Sequence, residues 1–246
     1  MWGSYGNGNG QFLNPMGVSV ARSGNVYVAD TLNHRVQYFT ANGSFLGKWG
    51  SDGSGDREFR FPYDVAVAPD GNVYVADSSN HRISYFTSNG SFLGKWGTKG
   101  RRECEFEYPS GIVVAGWVYV ADTGNHRVQR LDLKGSFDRA WGTLGSANGQ
   151  FIYPFGIVVA ANGNVFVADG YNHRVQYFTG AGRFVGKFGA FGRGAGEFNC
   201  AYGVAVSPTV RRVYVTDAKN NRIQYFRRSD PAVSPTSLGR VKALFR

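Results

Sequence analysis

VYVADTLNHRVQYF occupies residues 26–39, and close copies of this stretch recur along the chain. They begin at residues 73, 118, 165 and 213, so successive copies lie 47, 45, 47 and 48 residues apart. Residues 25–50 and 72–97 are identical at 21 of 26 positions. A repeat of this length is typical of solenoids, arrays and propellers. The secondary structure of each unit decides among these architectures.

Each unit contains four short apolar runs with an alternating pattern. In the first unit they are GVSVA (17–21), NVYVAD (25–30), RVQYF (35–39) and SFLGKW (44–49). They are rich in valine, tyrosine and phenylalanine, which favour strands. Turn sequences such as RSG and ANG separate them, because Asn and Gly tolerate positive φ. Four antiparallel strands repeated head to tail predict the blades of a β-propeller.

The pattern PxGVAV, GNVYVAD, NHRVQYF and GSFLGKWG resembles the NHL repeat, and the resemblance covers roughly residues 2–228. It implies an all-β fold, a β-propeller of NHL-type four-stranded blades. Five repeats are countable, whereas NHL propellers usually have six blades. The prediction is therefore either a five-bladed ring or an incomplete six-bladed ring.

The predicted organisation is one propeller followed by a basic tail. The propeller spans residues 1–228, with repeat units at about 14–60, 61–107, 108–152, 153–199 and 200–228. The fifth copy stops after its third strand, and the tail covers residues 229–246. RVKALF (240–245) is a candidate closing strand for that blade. Without such a strand the chain is an open arc or a fragment with exposed strand edges.

Composition excludes several classes of protein. With 246 residues the chain is long enough for its own core, and 18% charged residues is not a disordered composition. No apolar run reaches membrane-spanning length, and no signal peptide is recognised, which favours a cytoplasmic location. Cys104 and Cys200 form neither a disulfide framework nor a CxxC pair. No cofactor is expected.

The four histidines of the chain all lie in the NHR phrase, at His34, His81, His126 and His173. In a propeller such residues form a wide ring, so they cannot approach one zinc ion at about 2.0–2.1 Å, and no metal site is expected. A structural role fits better, with each Arg paired to the Asp that ends the preceding strand. The predicted pairs are Asp30/Arg35, Asp77/Arg82, Asp122/Arg127, Asp169/Arg174 and Asp217/Arg222.

Partner binding is expected where the repeats differ, on the propeller face that carries the links between blades. The residue after the inner-strand proline, or after its equivalent Ala201 in the fifth copy, is variable and often aromatic: Met16, Tyr63, Ser110, Phe155 and Tyr202. Neighbouring turns and links add Tyr171, Arg57, Arg60, Lys99, Arg101 and Arg102. The alternative is that these aromatics only fill the propeller channel.

Three functions follow, and a non-catalytic module that holds a protein partner on this face is preferred. Some NHL proteins bind single-stranded RNA there, so the resemblance raises RNA as a second partner, with aromatics stacking bases. The net charge of +10 supports RNA only weakly, because residues 1–210 carry 18 Lys and Arg against 15 Asp and Glu. A lyase is disfavoured, because the propeller lyases carry zinc-binding histidines after the inner-strand proline. Asp64, beside the variable row, does not make an acid/base constellation alone.

Overall fold

The computed structural model describes residues 2–209, 211–227 and the backbone of residues 242–243. Within these residues the chain forms five four-stranded antiparallel sheets, so the predicted all-β propeller is confirmed and has five blades. The chain divides into two compact units. Unit 1 comprises Met1–Gly124 and Arg130–Asp138, and unit 2 comprises Asn125–Gln129 and Arg139–Arg246.

The strands of each blade are hydrogen-bonded in chain order, from the inner strand to the outer strand. A short parallel pair, β1 (Ser4–Tyr5) and β2 (Gln11–Phe12), precedes the first blade. Blades 1 and 2 contain β3 (Pro15–Val20), β4 (Val26–Asp30), β5 (Arg35–Phe39), β6 (Phe45–Trp49), β7 (Pro62–Val67), β8 (Val73–Asp77), β9 (Arg82–Phe86) and β10 (Phe92–Trp96). Blades 3 and 4 contain β11 (Pro109–Val114), β12 (Val118–Asp122), β13 (Arg127–Leu131), β14 (Phe137–Trp141), β15 (Pro154–Val159), β16 (Val165–Asp169), β17 (Arg174–Phe178) and β18 (Phe184–Phe188). The parallel pair β19 (Ala190–Phe191) and β20 (Glu197–Phe198) then leads to blade 5, which contains β21 (Ala201–Val206), β22 (Arg212–Asp217), β23 (Arg222–Arg227) and β24 (Lys242–Ala243).

The two faces of a blade carry different residues, because side chains alternate along a strand. In blade 1 the register places Val18 beside Val28 on one face, which we call the leading face. The opposite, trailing face carries Tyr27 and, in the adjacent row, Val36 and Trp49. The same division holds in the other blades because their registers are equivalent.

The core of each unit lies between successive blades. The trailing face of blade 1 packs against the leading face of blade 2, where Tyr27 and Trp49 join a buried cluster with Val65 and Phe86. Trp49 is buried, with its ring 5.6 Å from that of Phe86. Equivalent clusters join blades 2 and 3 in unit 1 and blades 4 and 5 in unit 2. Each blade therefore buries its apolar surface against a neighbouring blade, as in other repeat folds.

The turn between the second and third strands explains the NHR phrase. A 3₁₀ turn such as Thr31–Asn33 is followed by His34 in the left-handed conformation, with φ of 51°. Its N–H donates to the carbonyl of Thr31. In blade 5 Asn221 takes this conformation, with φ of 52°. Asn and His are enriched among the non-glycine residues that adopt it, so the exchange is tolerated.

The outer edge of blade 5 is joined by a segment from far along the chain. Lys242–Ala243 pairs antiparallel with β23, with Ala243 opposite Gln224 and Lys242 opposite Tyr225. The other residues of the candidate strand RVKALF, together with the rest of the basic tail, lie outside the described residues.

Candidate functional site

An Asp and Arg ion pair ties the turn to the preceding link in blades 1, 2, 4 and 5. In blade 2 the Nε of Arg82 donates to Oδ2 of Asp77 at 2.7 Å. Asp77 Oδ1 accepts the backbone N–H of Arg60 at 2.8 Å, and both carboxylate oxygens accept from Asn80. Arg82 also donates to three link carbonyls, those of Ser54, Gly55 and Glu58. The pairs Asp30/Arg35, Asp169/Arg174 and Asp217/Arg222 have the same 2.7 Å geometry.

The third Asp of this series has an equivalent environment within unit 1. Asp122 is buried, and its Oδ1 accepts the backbone N–H of Glu107 at 2.7 Å. These carboxylates are occupied by donors of their own repeat, which is a structural arrangement. It leaves partner binding to other residues.

Each histidine links its blade to the following one. Nδ1 of His34 accepts the backbone N–H of Phe61 at 3.3 Å, and Nδ1 of His81 accepts that of Tyr108 at 3.1 Å. In unit 2, His126 accepts from Tyr153 and His173 from Cys200, each at 3.1 Å. An imidazole that accepts at Nδ1 must carry its proton on Nε2 and be neutral. The described residues include no group of three or more side chains suited to metal binding.

These links predict acid sensitivity. Burial, followed by the charge of Lys99, lowers the pKa of His81, and burial with the charge of Lys219 lowers that of His173. The folded state therefore binds these protons less readily than the unfolded state. The two histidines therefore stabilise the folded state fully above about pH 6.5. This stabilisation is lost as pH falls through their lowered folded-state pKa values.

We expect the double variant His81→Asn, His173→Asn to lose part of this acid sensitivity. Asn fits the left-handed backbone, as Asn221 shows in blade 5. Urea unfolding of both proteins at pH 7.5 and pH 5 measures the effect. The free energy of unfolding should fall more steeply with acid in the wild type. Equal falls in the two proteins would show that the histidines do not titrate with unfolding.

The predicted row after the proline is not uniform. In unit 1, Met16 and Tyr63 are partly buried, whereas Ser110 is buried and its hydroxyl lies 2.5 Å from that of Thr123. Ser110 therefore does not reach the surface. In unit 2, the rings of Phe155 and Tyr202 stack with centroids 4.6 Å apart.

Unit 2 brings the aromatic residues into one surface. Tyr171 lies 5.2 Å from Tyr153 and 6.4 Å from Phe155, measured between ring centroids, and Phe155 stacks on Tyr202. The ammonium of Lys219 lies 5.4 Å from the centroid of the Tyr171 ring. Tyr171 is 50% exposed and Tyr153 is 42% exposed. We call these four aromatic residues and Lys219 the aromatic surface.

The large side chain of Phe155 fits because its neighbour Gly170 has no side chain. A Cβ at Gly170 would lie only 2.5 Å from the Phe155 ring, so a larger residue would displace that ring. In blade 3 the equivalent positions are Ser110 and Thr123, which fill the same space by a hydrogen bond. Phe155 and Gly170 are therefore a paired change of sequence within blade 4.

Sequence reasoning missed the residue before the proline. Phe61 and Tyr108 in unit 1 and Tyr153 in unit 2 adopt φ of 49–51° and are exposed. Each ring lies 4.6–4.7 Å from the imidazole of the preceding blade. An aromatic residue recurs at this repeat position, and this recurrence in the sequence could have identified the position. The left-handed backbone that directs them outward was not apparent from the sequence.

A second missed position lies in the links. The third residue of each link is variable and exposed in the structure: Tyr5, Asp52, Lys99, Leu144 and Phe191. In unit 2 this position is apolar, and Phe191 lies 4.8 Å from the His173 ring. These side chains add exposed apolar area to unit 2.

The predicted basic residues are exposed but stand among acidic ones. Arg57, Arg60, Lys99, Arg101 and Arg102 are all exposed and all lie in unit 1. Nε of Arg60 lies 3.6 Å from the carboxylate of Asp52. Glu103, Glu105 and Glu107 follow the basic link in the sequence. This part of unit 1 is therefore mixed in charge.

Asp64 is the acidic residue of the inner strands that stands out. It replaces the glycine found at the same position in the other four inner strands. Its carboxylate accepts the N–H of Val65 at 2.8 Å and that of Ile112, on the inner strand of blade 3, at 3.0 Å. Burial raises its pKa to about 7, although both backbone N–H groups oppose the shift. The carboxylate bridges two blades, and desolvation is the larger effect.

These features define the class of protein: a repeat propeller whose blades share a structural Asp and Arg, with a histidine that links the blade to the next in four of them. The sequence profile of the NHL repeat matches residues 12–39, 59–86, 106–131 and 151–178. The chain belongs to the NHL-repeat family. None of the curated protein sequences gave a significant match.

Solved structures share the fold at low sequence identity. A streptogramin B lyase superposes with a TM-score of 0.67 and 13% identity, covering 93% of this chain and 67% of the lyase. A chain of a nidogen/laminin complex gives 0.66 and 16%, covering 87% and 75%. Hydrazine synthase from Kuenenia stuttgartiensis gives 0.65 and 16%, covering 98% and 69%. Enzymes and a binding complex thus share this architecture, and the similarity establishes the fold alone. Among the described residues, no helix is long and apolar enough to span a membrane.

Proposed function

We propose that this protein is a non-catalytic binding module that holds a polypeptide partner on the aromatic surface of unit 2. The observation that carries the proposal is the contact between Tyr153, Tyr171 and Phe155, with two of these rings about half exposed. Exposed large apolar side chains that cluster mark interaction sites. Tyrosines in particular bury a large area at little cost in side-chain entropy.

The surroundings favour a polypeptide over a nucleic acid. Phe191 and Leu144 add apolar side chains that are 69% and 63% exposed in the same unit. An RNA site needs a basic path that tracks successive phosphates. The predicted basic link residues lie in unit 1 among carboxylates, and the basic tail lies outside the described residues.

Single-stranded RNA is the second candidate because of one geometric feature. The stacked pair Phe155 and Tyr202, near Tyr171 with Lys219 beside its ring, resembles an aromatic platform with an adjacent cation. Such a platform can stack a base and contact its phosphate. The test of function therefore includes an RNA probe.

A catalytic role is not proposed. Among the described residues no group of three or more His, Cys, Asp or Glu side chains could hold a metal ion. Asp64, with its raised pKa, has backbone partners on both carboxylate oxygens. A general acid or base needs access to a reacting group within hydrogen-bonding distance.

Tyr171→Ala is expected to weaken partner binding by about tenfold or more, since central aromatic hot spots contribute about 2 kcal/mol or more. The probes are a phage-displayed library of random 12-residue peptides and a pool of randomised single-stranded RNA at several salt concentrations. Peptides enriched on the wild-type protein are then measured against the variant. Tyr108→Ala is the matched control, because Tyr108 is a similarly exposed aromatic at the same repeat position as Tyr153 but in unit 1.

The outcomes separate the candidates. Peptides that lose affinity for Tyr171→Ala but not for Tyr108→Ala support the proposal. RNA enrichment that survives physiological salt and depends on Tyr171 establishes the second candidate instead. Equal loss with both variants, or no enrichment from either pool, contradicts a binding role for the aromatic surface.

A further inference from the structure

The leading face of blade 1 is more exposed than the leading face of blade 2. Val18 and Val20, on the inner strand, are each 64% exposed. Their repeat counterparts are Val65, which is 2% exposed, and Val67, which is partly buried. The residue types are identical at both positions. What differs is the neighbour that covers them.

Blade 2, whose leading face is covered, shows which residues pack on such a face. Above the inner strand of blade 2 lies the trailing face of blade 1. Ser19 Oγ accepts the N–H of Val67 at 3.1 Å, and the hydroxyl of Tyr27 donates to the carbonyl of Ser88 at 2.8 Å. The leading face of blade 2 is thus covered by the inner strand of blade 1 and by the tyrosine of its second strand.

The outer half of the leading face of blade 1 is already covered. The ring of Trp2 lies 4.6 Å from that of Phe39, and the ring of Phe12 lies 5.7 Å from it. Trp49 and Phe59 cover Phe86 of blade 2 in the same way. The exposed part of this leading face is therefore its inner half alone. In blade 2 the same half is covered by the inner strand and the tyrosine-bearing second strand of blade 1.

Within the described residues of unit 2, the trailing face of blade 5 is more exposed than its counterparts. Ala205 is exposed, whereas its counterpart Ala66 is 5% exposed. Tyr214 is partly buried, whereas its counterpart Tyr27 is 1% exposed. Tyr214 and Tyr225 lie 6.1 Å apart with their rings tilted by 42°. The equivalent aromatic pairs, Tyr27/Tyr38, Tyr74/Tyr85 and Phe166/Tyr177, are closer, at 5.1–5.5 Å, and stacked within 10–19°.

Two arginines flank this tyrosine pair. The guanidinium carbons of Arg212 and Arg227 lie 5.5 Å and 5.9 Å from the Tyr225 ring centroid. Tyrosine and arginine are both enriched at protein interfaces, where they are common hot spots. The composition of this face is that of an interface between polypeptides.

We propose that the leading face of blade 1 binds the trailing face of blade 5 of a second copy of this chain. By analogy with the contact between blades 1 and 2, Ala205 lies against Val20 of the other copy. In the same way, the Tyr214 hydroxyl donates to the carbonyl of Ala41, the counterpart of Ser88. Because the two faces differ, the contact is head-to-tail, so it leads to larger assemblies or closed rings. This interface does not involve the aromatic surface.

Sedimentation velocity of the full chain over a concentration series tests the proposal. The wild type should associate with rising concentration, and Val20→Asp or Ala205→Asp should each be monomeric, because each places a charge in the contact. An equimolar mixture of the two variants should form a dimer and nothing larger. Each variant retains one intact face, and only the pairing of those intact faces is possible. Leu93→Asp is the control, since Leu93 is 44% exposed on an outer strand away from this contact.

The mixture is the decisive measurement. A dimer in the mixture, with both variants monomeric and Leu93→Asp behaving as wild type, supports the head-to-tail interface. A wild-type protein that is monomeric at every concentration overturns it. So does an assembly that survives either substitution, or a mixture that stays monomeric while the wild type associates. Since Val20 and Ala205 are both exposed, circular dichroism of each variant should match that of the wild type.

Discussion

Asp77→Ala is expected to lower the free energy of unfolding by about 3–5 kcal/mol, the range for breaking a buried ion pair from one side. The Arg82 side chain would remain buried without its carboxylate. The backbone N–H of Arg60 would also lose its acceptor. Burial raises the pKa of Asp77, whereas the N–H of Arg60, Asn80 and Arg82 lower it. Desolvation of Asp77 is thus not fully offset in the wild type, but its truncation leaves the buried Arg82 charge without a partner carboxylate.

Chemical denaturation at pH 7.5 measures this effect. Asp56→Ala is the control, because Asp56 forms an exposed pair with Lys95 at 2.9 Å. Exposed pairs contribute about 0–1 kcal/mol, so the control should change little. Asp77→Asn should fall between the two, since its amide oxygen can still accept one N–H. If Asp77→Ala and Asp56→Ala had similar effects, the Asp and Arg network would not be a stabilising element of the blade.

The blades were predictable because the sequence pattern of each strand and turn agrees with its local structure. VYVAD alternates as a half-buried strand does, NHR follows in a tight turn, and RVQYF alternates again. The fifth copy preserved the Asp and Arg while replacing histidine by Asn221, which indicated that the turn mattered more than the imidazole. The structure shows the reason in the left-handed φ at this position.

The candidate site was only partly predictable. Phe155, Tyr171 and Tyr202 were identified as variable residues, and the structure brings them together in unit 2. Ser110 was placed in the same row, but it turns inward to Thr123. Tyr153 was missed, because its exposure depends on a left-handed backbone before a proline, a position normally biased to extended conformations.

Exposure that depends on a neighbouring blade is beyond sequence patterns altogether. Val18 and Val65 occupy equivalent positions in nearly identical repeats, yet one is 64% exposed and the other 2%. Alternation correctly predicts that both belong to one face of a sheet. Whether that face is covered depends on contacts between blades, which no single repeat encodes. The exposure of Val18 on blade 1 and of Ala205 on blade 5 therefore became apparent only in the structure.

Asp64→Asn is expected to change the pH dependence of stability more than any other single substitution considered. The folded-state pKa of about 7 lies above the usual value of 3.8. Between these values the folded state binds more protons than the unfolded state, so this group makes stability fall as pH rises from about 4 to 7. Above pH 7 the loss is complete and amounts to on the order of 4 kcal/mol, at about 1.36 kcal/mol per pKa unit.

The measurement is the difference in unfolding free energy between Asp64→Asn and the wild type at pH 4 and at pH 8. Asparagine cannot accept both backbone N–H groups of Val65 and Ile112 with its one oxygen, so the variant carries a constant cost at both pH values. That cost cancels when the two differences are compared. The variant should gain on the order of 4 kcal/mol relative to the wild type between pH 4 and pH 8.

Asp132→Asn provides a control of opposite sign. The backbone N–H of Ser136 is the main cause that lowers the pKa of Asp132, so its ionised form favours the folded state. Removing that carboxylate should cost stability at pH 8 relative to pH 4, the reverse of the result at Asp64. If Asp64→Asn and the wild type gave parallel pH profiles, the Asp64 carboxylate would be adequately solvated by its two N–H partners. The hydrogen bonds from Val65 and Ile112 would then balance the desolvation of the ionised carboxylate.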